Sequence, residues 1–199
     1  MDKIANLFFK NRSYTPIPFL LVMLIFQDAT LMSLIIGFVV ALCGESLRLW
    51  GVSVAGSETR TTGGGVGGSF LVITGGFAYV RNPLYLGNIL LYIGIGIMSM
   101  ALFPYLQIIA FLFFYIQYRF IISQEEKYLT KTFGEQYLNY KKNVPRLIPR
   151  FTPYKNPNVE QPEYDIKKGL RSERRTLQAF GLVTIILVIL YLIFRYLGE

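Results

Sequence analysis

The segment Leu71-Val72-Ile73-Thr74-Gly75-Gly76-Phe77-Ala78-Tyr79-Val80-Arg81-Asn82-Pro83-Leu84-Tyr85-Leu86-Gly87 joins a glycine-rich polar stretch to a long apolar run through an Arg-Asn-Pro corner. Pro83 suits the first turn of a helix, where its missing N–H is no loss, and Asn82 just before it is a good cap residue. The corner therefore starts a helix and leaves Arg81 and Asn82 at the mouth of a hydrophobic segment. First-turn N–H groups and polar side chains converge there, which is a place to hold a polar ligand beside a membrane. A capped transmembrane helix with an interfacial arginine reads equally from the same residues.

The composition sets the medium. Hydrophobic residues make up 53% of the chain and charged residues only 16%, and the apolar residues fall in long runs. That is too apolar for a soluble domain and predicts an all-α integral membrane protein. No small-residue cleavage site follows an early apolar core, so no cleaved signal peptide is expected. The net charge of +8 comes from basic residues next to apolar spans. Anionic headgroups and the positive-inside bias explain it without nucleic acid. Cys43 is the one cysteine and histidine is absent. Disulfides, cysteine metal sites, histidine acid–base chemistry and a metal centre of the usual ligands are therefore not expected.

Outward from the corner, residues 1–14 alternate apolar and basic residues and read as interfacial. Residues 17–26 form a short, marginal span. After a turn at Asp28, a long helix is expected over about 29–54, with Glu45 and Arg48 three apart on one face. Residues 55–70 form a loop. Its tract Gly63–Gly68 lacks the Lys-Ser/Thr ending of a phosphate-binding loop. Residues 84–101 and 105–122 make a third and a fourth span, with Gly87, Gly94 and Gly96 placed for close helix contacts. Beyond Glu125 the helical pattern persists through Tyr140, since Glu125, Leu129, Phe133 and Tyr137 recur every fourth residue, and Gly134 is expected to kink it. Residues 151–175 read as a polar linker and 176–199 as a C-terminal transmembrane helix. About five transmembrane helices result, with a membrane core over 1–150. From 124 to 175, 12 Lys/Arg stand against 7 Asp/Glu, which assigns this region and the corner to the cytoplasmic side.

Two polar stations can now be read together. Leu71-Val72-x-Thr74-Gly75-x-Phe77, Arg81-Asn82-Pro83-x-Tyr85-x-Gly87 and, after one helical hairpin, Glu125-Glu126, Leu129, Phe133-Gly134, Tyr137, Tyr140 and Val144-Pro145 follow in order. Over roughly residues 44–150 this pattern resembles the isoprenylcysteine carboxyl methyltransferase family and its prokaryotic relatives, with phospholipid methyltransferases as more distant kin. The resemblance implies S-adenosylmethionine as methyl donor and a cofactor site on the cytoplasmic side, in a prokaryotic inner membrane. It implies cofactor contacts from Ser69, Phe70, Leu71, Val72 and Phe77, from the corner residues Arg81, Asn82, Pro83, Leu84 and Tyr85, and from Glu125, Tyr137 and Tyr140. Glu125 and Arg119 are the expected catalytic residues, Glu125 as an anion toward the cationic cofactor. Glu126, about 100° around the helix, is expected to matter less.

The sequence departs from the family at three positions. Asn82 stands where the family usually has histidine, and Phe77 where it often has tyrosine. The arginine expected four residues before the glutamate is Ile121, leaving Arg119 as a substitute at another helix angle. The implied partner is a hydrophobic or amphiphilic methyl acceptor, a carboxylate such as an isoprenylcysteine-like group or a membrane lipid. A carboxylate acceptor is ionised at neutral pH, so the missing histidine removes no necessary base. A membrane reductase of related architecture and a non-catalytic lipid- or cofactor-binding relative are the alternatives.

Overall fold

The computed structural model describes residues 2–56 and 70–196, so Ser69 and the glycine tract 63–68 lie outside the described residues. The described part is helical, with no strand among the described residues. Its helices are α1 (Asp2–Asn11), α2 (Pro16–Ile25), α3 (Leu31–Ala55), α4 (Pro83–Ser99), α5 (Tyr105–Asn143) and α6 (Ile166–Tyr196). Three of them, α3, α5 and α6, are long and apolar enough to cross a membrane, and α2 and α4 are shorter apolar helices. This is the expected all-α membrane architecture.

The polar-to-apolar transitions set the helix starts. Thr30 and Ser33 form a reciprocal capping box at the head of α3, with Ser33 N–H donating to Thr30 Oγ1 over 3.1 Å and Thr30 N–H donating to Ser33 Oγ over 2.9 Å. Asp28 N–H donates to the Ser99 carbonyl at 2.8 Å, which ties the α2–α3 turn to the end of α4. Pro83 opens α4 as expected, whereas Asn82 occupies the cap position without capping.

Glycines allow α3 and α4 to pack backbone to backbone. A Cβ on Gly44 would lie 2.6 Å from the Gly87 carbonyl oxygen, and one on Gly87 would lie 2.6 Å from that of Gly44. Small residues are the usual means of close approach in lipid, where apolar burial gives helices no reason to prefer each other over acyl chains. α6 packs along the other side of α3, with Phe38 and Phe180 stacked at 5.6 Å. Its helix begins at Ile166, ahead of the apolar run. Asp165 accepts from the N–H groups of Lys167 and Lys168 at 2.9 and 3.0 Å. Those backbone donors, Lys168 first, hold its carboxyl below the usual carboxylate range.

Inside the bundle, Arg48 sits 3.2 Å from Glu45 and also pairs with Glu173 of α6 and Asn88 of α4. The expected Glu45–Arg48 pair is thus part of a larger polar knot. α5 continues past its apolar part but breaks at Gly134, where φ is 51°. A left-handed φ is cheap only for glycine, so the expected kink falls where the sequence permits it.

Candidate functional site

α5 leaves its apolar part at Ile122, and the break at Gly134 brings its last turns back to Glu126. The stretch 71–82 reaches the same place from the other side. Its Gly75–Ala78 segment is a single 3₁₀ turn that delivers the Arg81-Asn82-Pro83 corner onto α5. Residues 144–165 then run over this stretch as a strap. Arg81 N–H donates to the Pro145 carbonyl (2.8 Å), Arg150 N–H to that of Tyr79 (2.9 Å) and Tyr154 N–H to that of Ala78 (2.9 Å). Gln161 closes the far end, accepting from Ile73 N–H at 2.8 Å and donating to the Leu71 carbonyl at 3.0 Å. An irregular buried backbone needs such partners, because unpaired N–H and C=O groups are costly there.

At the centre is Glu126. Arg81 Nη2 donates to its Oε1 at 2.9 Å, and Arg146 donates through Nε at 3.1 Å and Nη2 at 2.5 Å. Lys141 Nζ lies 3.6 Å from Oε2. Arg81 Nη1 also donates to the carbonyls of Lys141 (2.7 Å) and Val144 (2.5 Å), so its guanidinium staples both limbs of α5 to the corner. Three cations around one carboxylate leave the cluster with a net positive charge. An open cleft of about 360 Å³ faces it, lined by Ser123, Glu126, Lys127, Thr130, Lys141 and Arg146.

Glu125 lies beside this cluster, half-buried. The Tyr85 hydroxyl donates to its Oε1 at 2.5 Å, and burial pushes the Glu125 carboxyl up to about 7, against the opposing pull of the Tyr85 bond and of Arg12 at the end of α1. Tyr85 in turn packs at 4.8 Å on Tyr118. The corner and the head of the second motif therefore meet through two bonds, Arg81–Glu126 and Tyr85–Glu125, that span 45 and 40 residues of sequence.

The other predicted residues divide into groups. Asn82 turns its side-chain amide to the Arg146 carbonyl (3.0 Å) and so holds the strap instead of capping α4. Leu71, Tyr137 and Tyr140 are buried in one cluster with Ile73 and Val144, and the Tyr140 hydroxyl donates to the Phe77 carbonyl at 2.7 Å. Val72, Phe77 and Leu84 are half-buried around the turn, Pro83 is buried against it, and Phe70 is exposed. Arg119 is exposed, and its side chain makes no hydrogen bond or ion pair among the described residues. It lies about 200° around α5 from the buried Ile121. Arg146, Lys141 and Gln161 enter the arrangement without having been singled out from sequence. Basic residues near a proline and a glutamine in a polar stretch carry no periodic signal; only the folded strap gives them partners.

The sequence model of the family described as phospholipid methyltransferase matches residues 32–136, just over half of the chain. The matched region runs from the first turn of α3 to the break in α5, and it holds both the corner and the Glu125-Glu126 pair. The strap and α6 lie outside it. No curated protein matches the sequence.

Proposed function

Because the chain belongs to the phospholipid methyltransferase family, we propose that it transfers a methyl group from S-adenosylmethionine to a membrane-embedded or amphiphilic acceptor, either a lipid or a carboxylate of isoprenylcysteine type. The site is the junction of the corner with Glu125 and Glu126. The observation that carries this reading is the convergence of the two motif halves through the Arg81–Glu126 and Tyr85–Glu125 bonds.

The donor set suits a ligand with both cationic and anionic groups. Glu125 offers a carboxylate to a cationic group, while Arg146 and Lys141, gathered around Glu126, offer cations to a carboxylate. Phe77 and Tyr85 supply aromatic walls, and residues 70–72 with the corner residues 82–85 would complete the pocket. S-adenosylmethionine, when bound, supplies a methyl group on a positively charged sulfur, whose displacement needs alignment more than a nucleophilic side chain. The chain's own residues therefore bind and orient. Tyr85 holds Glu125 in one position through its short hydrogen bond, and the Arg81 staple fixes the distance between the corner and α5. A carboxylate acceptor needs no base. The basic balance of residues 124–175 supports a cytoplasm-facing site, and the resemblance to prokaryotic relatives supports an inner membrane.

Titration calorimetry of the detergent-solubilised protein with S-adenosylmethionine and with its demethylated product tests the proposal. Micromolar binding, on the order of −8 kcal/mol, is expected for both. A folded sample that shows no heat and no thermal shift with either ligand overturns it.

A further inference from the structure

The strap carries two large apolar side chains that no part of the described protein covers. Ile148 is 79% exposed and Phe151 is fully exposed, at 103%. They do not sit on a loose loop. The backbone before them is pinned by the Arg81–Pro145 bond and by Asn82 donating to the Arg146 carbonyl, and the backbone between them by Arg150 N–H on Tyr79. Residues 147–151 are therefore held as a fixed projection.

The level of this projection follows from Leu147. That side chain packs against the apolar cluster that contains Tyr118, Ile121 and Ile122, the last turns of α5 before the polar run 123–127. Phe8 and Phe9 of α1 join the same cluster, and α1 exposes Ile4 and Leu7 at 51% and 60%. On the other side of the strap, Tyr79 rests 5.7 Å from Trp50, an exposed aromatic near the end of α3. Ile148 and Phe151 thus project where the apolar part of the bundle ends, between an amphipathic helix and an aromatic pair. Arg146 and Arg150 neighbour them in the chain, and Arg150 donates to the Asn143 carbonyl at 3.0 Å, just past Lys141 and Lys142 at the end of α5, giving a basic surround suited to anionic headgroups.

We infer that the strap tip formed by Ile148 and Phe151 is an interfacial lipid anchor, seated at the headgroup–acyl boundary beside the Glu126 cleft. Apolar side chains with basic neighbours are the composition that partitions to this depth. The anchor would hold the strap, and with it Arg146, against the membrane surface. The inference rests on the placement of the strap and not on the proposed chemistry.

The test is a depth measurement on the full chain in vesicles of phosphatidylcholine and phosphatidylglycerol. Phe151→Trp in a Trp50→Phe background provides a single tryptophan. Strong quenching by lipids brominated near the headgroup end of the acyl chain is expected. Weak quenching by lipids brominated near the terminal methyl, and little by aqueous iodide, should accompany it. Quenching by iodide without quenching by bromolipid places the tip in water and overturns the inference. Quenching by neither means that protein covers the tip, and quenching strongest at the terminal methyl means that it lies too deep; both also overturn it. A nitroxide on Ile148→Cys in a Cys43→Ala background gives an independent readout if the tryptophan variant fails to fold. Greater accessibility to oxygen than to a water-soluble nickel complex is expected, and the reverse order refutes the anchor.

Discussion

Replacing Glu126 by glutamine tests whether the centre of the site is also its main structural tie. The residue is 4% exposed and accepts from two guanidinium groups. Arg81 cannot easily follow the lost charge, because its other nitrogen is committed to two backbone carbonyls and its side chain is only 10% exposed. Removing one partner of a buried ion pair costs about 3–5 kcal/mol. Two features reduce that figure. Glutamine keeps one acceptor oxygen, and Arg146 and Lys141, 30% and 41% exposed, can turn to water. The net expectation is about 2–3 kcal/mol of lost stability. For a chain of this length it is a fall of about 5–10 °C in the unfolding midpoint without ligand.

Glu125→Gln is the internal contrast. Glutamine Oε1 still accepts the Tyr85 hydroxyl, so the midpoint should shift by no more than about 0.5 kcal/mol's worth. Cofactor binding should nevertheless weaken by about ten- to a hundredfold, as a charge-assisted contact is lost. Thermal unfolding in detergent followed by calorimetry reads both quantities on the same samples. A Glu126→Gln protein as stable as the parent would refute the assignment of Glu126 as the tie. Equal destabilisation by the two substitutions would show that the carboxylates form one structural unit, against the division drawn between them.

Three further outcomes are expected. Gly44→Ala should destabilise the α3–α4 pair by about 1–3 kcal/mol, since the added methyl meets the Gly87 backbone. Gly51→Ala, whose Cβ would make an ordinary 3.5 Å contact with Pro83, should be tolerated, and detergent melting curves compare the two. Gln161→Ala leaves the Ile73 N–H and the Leu71 carbonyl without their partner, at about 1–3 kcal/mol; limited proteolysis should then cut the strap faster than in the parent. In a Cys43→Ala background, cysteines placed at Lys127 and Glu160 should be labelled from one side of the membrane, the cytoplasmic one. Labelling of the two from opposite sides contradicts the strap, and labelling of both from outside contradicts the proposed orientation.

The limits of the sequence show most clearly along α5. Glu125, Leu129, Phe133 and Tyr137 repeat every fourth residue, and that period gave a face to Glu125, which the family resemblance had singled out. A second stripe with the same spacing, Ala110, Phe114, Tyr118, Ile122 and Glu126, is the one buried in the bundle. Both stripes are legal readings of one helix, because a period of four says which residues share a face and not which face meets protein. In a membrane the ambiguity is worse, since lipid-facing and protein-facing positions are equally apolar. The same limit explains Asn82. Its identity and its place before Pro83 make a cap residue, but Arg146, 64 residues on, claims its side chain.

What the residues determined alone are the features with a local cause. Apolar length set the membrane architecture, Pro83 the start of α4, Gly134 the break in α5, and small residues the contact of α3 with α4. The paired motifs also identified the family from their order and spacing. Tertiary structure decided which partners the charges take: Arg81 with Glu126, Tyr85 with Glu125, Arg48 with Glu173, and Gln161 with the irregular backbone at 71–74. Each of these joins residues at least 40 positions apart. Hydrogen bonds and ion pairs form only over a few ångströms, so such pairings have no signature in a local pattern until the chain is folded.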